Sequence, residues 1–217
     1  MKTFFDLYNS SIGKKLVVGA TGLFLCIYLV VHLLGNLLLF KHDGGAAFDQ
    51  YAEILPSLLI IRIVELGLFA IFIIHIVTGT VLWILNRKAR PEGYAMNRPQ
   101  ANSSFFSRTM FVTGSIVFIF IVIHMRSFWV TSRFYHEANP SMYRMVVDVF
   151  SNPLYSGFYV VAIALLGFHL RHGFQSAFQT FGLKQGRYAM LIELAGALFW
   201  LVIPLAFASI PLYFVMQ

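Results

Sequence analysis

The chain has 217 residues, of which 59% are hydrophobic and only 12% are charged; its mean hydropathy is +0.75. Soluble domains carry about 25% charged residues and lack apolar runs near 20 residues, so this composition excludes an ordinary soluble domain. The formal charge of +7 comes from basic residues between the apolar runs, which indicates membrane topology rather than nucleic-acid binding. We predict an all-α, polytopic membrane protein with a single membrane domain over residues 1–217.

Five apolar runs in chain order predict five transmembrane helices. Their bounds are about 15–40, 57–85, 108–130, 153–181 and 188–213. Residues 1–13 are mildly amphipathic and are expected to lie on the membrane surface. The connections are predicted to be a polar loop over 41–56, a basic loop over 86–107, a polar loop over 131–152 and a brief loop before span five.

The basic residues predict the orientation of these spans. Eleven of the sixteen Lys and Arg residues lie on the side of the N-terminus and of the loops after spans two and four. The positive-inside rule then places the N-terminus in the cytoplasm and the C-terminus outside. No removable signal peptide is predicted. The lone cysteine, Cys26, cannot ligate an iron–sulfur cluster or attach haem covalently, so any cofactor is held without thiolates.

Four of the five spans each carry one deep histidine: His32, His75, His124 and His169. Ionisable side chains inside membrane helices are rare and need a partner. At 1.5 Å per residue, His32 and His124 lie about 13 Å below the outer boundary, and His75 and His169 lie about 18–20 Å above the inner one. The sequence therefore predicts two histidine pairs, each formed by two helices at one depth.

Two imidazoles at one depth on different helices match the bis-histidine ligation of a b-type haem. His172 follows His169 by one turn and is the rival ligand, but its position nearer the inner surface favours a propionate or supporting role. Cations placed to bind haem propionates are Arg62, Arg126 and Arg171. Small residues that would let the backbone approach a porphyrin are Gly35, Gly79, Ser115 and Gly173.

Two other interpretations of the histidines have to be weighed. A single membrane histidine is more often a hydrogen-bonded structural group than a ligand. A proton relay would favour acidic residues inside the spans, and only Glu65 and Glu193 qualify, both near span ends. The matched depths favour haem. His42 and His136 lie in polar loops and are expected to be solvated.

Three stretches of the sequence resemble a known family. They are GLFLCIYLVVHLLGNLLLF around His32, ELGLFAIFIIHIVTGTVLW around His75 and GFHLRHGFQSAFQTFG around His169. They resemble the cytochrome b subunit of succinate dehydrogenases and fumarate reductases, in its five-helix, di-haem form, often called the b558 family. The likeness extends over nearly the full chain and is looser around His124.

The resemblance implies a membrane anchor bound to a flavoprotein subunit and an iron–sulfur subunit on the cytoplasmic side. It assigns His75 and His169 to a proximal haem, and His32 and His124 to a distal haem. The chain would transfer electrons between a membrane quinone, expected to be menaquinone, and the iron–sulfur subunit, as a non-catalytic subunit of the enzyme. The absence of a GxGxxG segment for a flavin dinucleotide agrees with that role.

One position departs from the family. Some fumarate reductases of this type carry a glutamate two residues before the span-four histidine, implicated in transmembrane proton transfer, and Gly167 stands there in this chain. That proton route is therefore not expected here. Quinone candidates toward the outer side are Glu65, Tyr51 and Glu53, with Arg62 beside them. An Arg62–Glu65 ion pair that braces the start of span two is the alternative reading.

Two alternative functions remain open from the sequence. The chain could be the di-haem anchor of another quinone-linked oxidoreductase, such as a hydrogenase or formate dehydrogenase cytochrome. It could also be a haem-free anchor or transporter whose histidines hydrogen-bond between helices. The basic loop over 86–108 suits docking of an acidic partner, although membrane orientation alone explains its charge.

Overall fold

The computed structural model describes residues 10–89, 105–134 and 141–217, and these ranges are almost entirely helical and contain no strand. Five helices are long and apolar enough to cross a membrane: Ser11–Phe40, Leu59–Lys88, Met110–Phe134, Pro153–Thr180 and Tyr188–Val215. The prediction of an all-α fold with five membrane spans is confirmed. These helices are called spans one to five below, and their ends differ from the predicted ends by a few residues.

Three of the spans contain a change of helix type. Span one is an α-helix over Ser11–Asn36 that ends in the 3₁₀ turn Leu37–Phe40. Span three contains the π-helical segment Arg126–Val130, and span five contains Leu198–Val202. Pro204 has no backbone N–H to donate to the carbonyl of Trp200, which accounts for the widened turn of span five.

The predicted polar loop over 41–56 is wrong, because most of it is the helix Ala46–Ser57. Gly44 and Gly45 turn the chain with φ angles of 68° and 91°. The Asp43 carboxylate accepts hydrogen bonds from the backbone N–H groups of Gly45 and Ala47, at 3.0 and 3.1 Å. These contacts satisfy donors at the helix start that would otherwise lack a partner. We call Ala46–Ser57 the first connecting helix.

A second connecting helix, Met142–Phe150, likewise replaces part of the predicted loop over 131–152. Its N-cap is Ser141, whose hydroxyl accepts from Arg144 N–H at 3.1 Å. Asp49 joins the two connecting helices, since its carboxylate accepts from the Ser141 hydroxyl at 2.6 Å and from Tyr143 N–H at 2.7 Å. Three parts of the predictions lie outside the described residues: positions 1–9 of the predicted surface segment over 1–13, positions 90–104 of the predicted basic loop over 86–107, and His136.

Span four occupies the centre of the bundle, because it packs on spans one, three and five. Span two packs on span one, and it meets span three through large side chains, as in the stacking of Trp83 on Phe111 at 3.9 Å. A buried cluster beside the connecting helices consists of Leu39, Phe48, Val146, Phe150, Tyr159, Ile163, Ile210 and Phe214. Span four therefore contacts three of the other spans, and span five packs on spans four and one.

Candidate functional site

The four span histidines lie in two pairs. The ring centres of His32 and His124 are 5.9 Å apart, and those of His75 and His169 are 6.4 Å apart. The rings of each pair are steeply inclined, at 88° and 74°. One pair joins spans one and three, and the other joins spans two and four. These are the pairs that the depth argument predicts, while a role as iron ligands stays a prediction.

The two pairs lie at different levels of the bundle. A Cβ atom at Gly22 of span one would lie 3.1 Å from His75 Cε1, and one at Gly114 of span three would lie 3.2 Å from His169 Cε1. Ten residues separate position 22 from 32, and ten separate position 114 from 124. At 1.5 Å per residue, both helices place the pairs about 15 Å apart along the bundle.

The spacing of each pair fits a shared metal. Two imidazoles that bind one metal at about 2.0–2.1 Å have ring centres about 6 Å apart. The described residues contain no group of three or more His, Cys, Asp or Glu side chains that could hold an ion. A bare ion would therefore have only two protein ligands at each pair, whereas a haem brings four nitrogen ligands of its own. The donor set suits haem better than a free ion.

The surroundings of the His32–His124 pair are aromatic. Tyr28 stacks on His32 at 5.5 Å with an angle of 13° between the rings. The hydroxyl of Tyr159 lies 3.3 Å from His124 Nδ1, and the Asn36 side-chain nitrogen lies 3.4 Å from His32 Nδ1. Asn36 makes its closer contact with the His32 carbonyl, to which it donates at 2.8 Å.

The surroundings of the His75–His169 pair contain a bonded and an unbonded ring nitrogen. Nδ1 of His75 lies 3.0 Å from Thr21 Oγ1. Nδ1 of His169 is buried and has no hydrogen-bond partner among the described residues. The buried Thr78 hydroxyl, one turn after His75, also has none there. Because an unmet buried polar group costs about 1–3 kcal/mol, these atoms fit a site that holds a further polar group.

The predicted propionate residues make other contacts in the described part of the chain. The Arg62 guanidinium lies 3.8 Å from the Glu65 carboxylate, and Arg126 donates to Thr131 Oγ1 at 3.2 Å. The Arg171 guanidinium lies over two aromatic rings, at 4.1 Å from the Phe106 centroid and 4.8 Å from that of Trp200. His172 is half-buried on span four.

The predicted quinone residues lie at the end of the bundle that carries the connecting helices. The Glu65 carboxylate accepts from Trp129 Nε1 and from the Arg133 guanidinium, the latter at 3.0 Å. The bracing interaction is thus mainly with span three, since Arg62 is farther away. Tyr51 is half-buried against Gly35, where a Cβ atom would lie 2.5 Å from its hydroxyl. Glu53 is exposed.

Two glycines contact the histidine rings, and they differ from the small residues predicted to face a porphyrin, a role that stays a prediction. Gly35 packs on Tyr51, Gly79 has no neighbour within 4 Å of its Cβ position, and Gly173 contacts only the Met110 methyl group at 3.5 Å. Gly22 and Gly114 contact the rings instead. The signal was present in the sequence, because each glycine lies ten residues before the deep histidine of its own span, at the level of the other histidine pair.

The structure leaves no space for a side chain at Gly167. A Cβ atom there would lie 2.8 Å from the backbone carbonyl of Trp200, in the π-helical segment of span five. Backbone cannot yield as a side-chain end can, so position 167 has no room for a glutamate without a shift of span five.

No family model matches the chain, and no solved structure does. A curated relative is the succinate dehydrogenase cytochrome b558 subunit of Bacillus subtilis (strain 168). The chain is 26% identical to it over 162 residues, which cover 72% of this chain and 73% of the relative. The chain is similar to a cytochrome b558 subunit. The resemblance inferred from the histidine motifs is confirmed.

Proposed function

We propose that the chain is the di-haem cytochrome b membrane-anchor subunit of a succinate:quinone oxidoreductase, either a succinate dehydrogenase or a fumarate reductase. The observation that carries this proposal is the pair of ring separations, 5.9 and 6.4 Å, in a chain similar to a cytochrome b558 subunit. Each pair would offer one iron two imidazoles from different spans.

In this proposal His75 and His169 hold a proximal haem, and His32 and His124 hold a distal haem. A bound haem supplies a one-electron carrier at each level of the bundle. The protein fixes the imidazoles on rigid helices and keeps water from them. Propionates would be held by Arg62, Arg126, Arg171 and His172, whose side chains would exchange present contacts for carboxylate oxygens.

The quinone is proposed to react beside the distal haem, where Glu65, Tyr51 and Glu53 lie toward the end of the connecting helices. Menaquinone is the proposed species. Glu65 is the strongest candidate for proton exchange, because a carboxylate held by an arginine and an indole N–H has a fixed position. The same contacts also support a purely structural role, in which Glu65 braces span two against span three.

The proposed partners are a flavoprotein subunit and an iron–sulfur subunit that bind the cytoplasmic end. That end carries the N-terminus in a bacterial inner membrane, together with Arg87, Lys88, Lys184 and Arg187. Electrons would pass between quinone, the distal level, the proximal level and the iron–sulfur subunit. Dicarboxylate chemistry would take place on the flavoprotein, so the chain itself contributes electron transfer rather than a catalytic residue.

The first test is a reduced-minus-oxidised optical spectrum of the purified chain, with haem counted per polypeptide. We expect two b-type haems, and single His→Ala variants at the four span histidines should each lose one. His42→Ala is the matched control, because His42 is exposed in a connection. His172→Ala should keep both haems. One haem in the wild type would leave one pair structural, and none in intact membranes would replace the proposal by a haem-free anchor or transporter.

A further inference from the structure

Thr21 of span one contacts His75 of span two in the middle of the helix pair. Thr21 Oγ1 lies 2.7 Å from the carbonyl oxygen of Val17 and 3.1 Å from that of Val18. The same oxygen lies 3.0 Å from His75 Nδ1. The threonine hydroxyl therefore has a backbone acceptor on its own helix and a ring nitrogen on the neighbouring one.

The hydroxyl has one hydrogen, and this decides the roles of the two groups. Threonines in helices donate that hydrogen to the carbonyl three or four residues earlier, and the 2.7 Å contact with Val17 is the shorter of the two candidate bonds. The lone pairs of Oγ1 are then left to accept. In that arrangement Nδ1–H of His75 donates to Thr21 Oγ1, and the Val18 carbonyl is a second acceptor close to the same ring on span one.

A neutral imidazole carries one N–H, so this hydrogen bond also sets the state of the other ring nitrogen. With the hydrogen on Nδ1, Nε2 keeps its lone pair, which is the form a metal ligand needs. In a membrane interior an unpaired N–H is costly, which favours the tautomer whose hydrogen has an acceptor.

The next residue, Gly22, holds the same ring in place by packing. Its Cβ position lies 3.1 Å from His75 Cε1 and 3.7 Å from Nδ1, so the edge of the ring that bears Nδ1 faces span one. Any larger side chain at position 22 would push the ring away from Thr21. The hydrogen bond and the close backbone thus act on the same edge.

We propose that Thr21 is the positioning residue of His75, fixing its Nδ1–H tautomer and ring orientation so that Nε2 is presented as a haem ligand. This inference rests on the proposed function. Thr21 does not itself touch the haem iron. Its acceptor oxygen makes the imidazole more electron-rich, which stabilises the oxidised iron and keeps the midpoint potential of that haem low.

The test uses the purified, haem-loaded chain and three variants. Thr21→Val keeps the branched shape but removes the oxygen, and Thr21→Ser keeps the oxygen and removes a methyl group. Thr180→Val is the matched control, because the Thr180 hydroxyl makes the same kind of bond to the Ser176 carbonyl at 2.8 Å, and no described contact joins it to a histidine. Haem per chain, both midpoint potentials and the electron paramagnetic resonance signals of the oxidised haems are measured.

In Thr21→Val we expect one of two midpoint potentials to become more positive, with a changed resonance signal for that haem only, or that haem to bind roughly 10–100-fold more weakly. Thr21→Ser and Thr180→Val should match the wild type. Two haems with unchanged potentials in Thr21→Val would overturn the inference, as would an equal shift in either comparison variant. If Thr21→Val does not insert, Thr21→Ala removes the same oxygen with a smaller side chain, and its haem content and potentials decide between the same outcomes. A wild-type chain without haem would overturn the proposed function as well, so the two failures are distinguishable.

Discussion

The two histidine pairs have nearly the same ring separation, but they are held in different ways. At the His32–His124 pair the supports are aromatic rings. Tyr28 stacks on His32, and Phe120 and Phe128 lie 5.7 and 5.2 Å from His124, centre to centre. These rings come from spans one and three themselves, and further contacts come from Phe207 of span five and Tyr159 of span four.

At the His75–His169 pair the supports are backbone and one hydroxyl. Gly22 and Gly114 let neighbouring helices approach each ring, and Thr21 hydrogen-bonds one of them. Aromatic side chains can rotate to make room, whereas a helix backbone cannot. The glycine-lined pair, His75–His169, should therefore be sensitive to a single added side chain, whereas the aromatic pair, His32–His124, should respond to lost contacts more gradually.

The largest expected effect is that of Gly22→Val. Its first added carbon would already lie 3.1 Å from His75 Cε1, and the two methyl groups would displace the ring. We expect the haem content to fall from two per chain to one, with the haem at His32–His124 retained. Haem quantification and the potential of the remaining haem measure this.

Gly67→Val is the matched control, because nothing lies within 4 Å of the Cβ position of Gly67 on span two. It should keep both haems. Two haems in Gly22→Val, with wild-type potentials, would show that the close approach at this pair is not needed for binding.

The second-largest effect is expected at Glu65, which contacts span three at the end of the bundle that holds the His32–His124 pair. Glu65→Gln keeps an oxygen for the Trp129 N–H but removes the ionisable group, so helix packing should survive. We expect quinol turnover to fall by roughly 10²-fold or more while haem content stays at two. Glu193→Gln is the control, because Glu193 is exposed and pairs with Lys184 at 3.6 Å elsewhere in the bundle. Unchanged turnover with intact haem would leave Glu65 as a brace between spans two and three.

The pairing of the histidines was predictable because it depends only on where the spans lie and on how deep each histidine is within its span. Apolar runs give the spans, and a constant rise of 1.5 Å per residue converts sequence distance into depth. The separation of the pairs was not predictable in the same way, since the depths were counted from different span ends. The contacts at Gly22 and Gly114 supply the separation, and they depend on how the helices pack.

The missed features share a physical cause, which is that they depend on a partner far away in the sequence. Thr21 and Tyr159 gain a role only through His75 and His124, on other spans. The connecting helices are different, because local signals could have found them. Asp43-Gly44-Gly45 before one and Ser141 before the other are ordinary helix-start sequences, and a polar average concealed the amphipathic pattern that follows.

The smallest expected effect is that of Tyr159→Phe at the aromatic pair. Its hydroxyl lies 3.3 Å from His124 Nδ1, a longer contact than the 3.0 Å between Thr21 and His75, so less stabilisation is lost. We expect both haems to remain. The potential of the haem at His32–His124 should shift, and this shift should be smaller than the one that Thr21→Val causes at the haem of His75–His169. A double variant should show both shifts independently, because sites about 15 Å apart act nearly additively. If Tyr159→Phe moves the same potential as Thr21→Val, the assignment of one pair to each haem is wrong. If each variant moves its own potential, the two levels of the bundle are separate electron carriers, each tuned by the group at Nδ1 of one ligand.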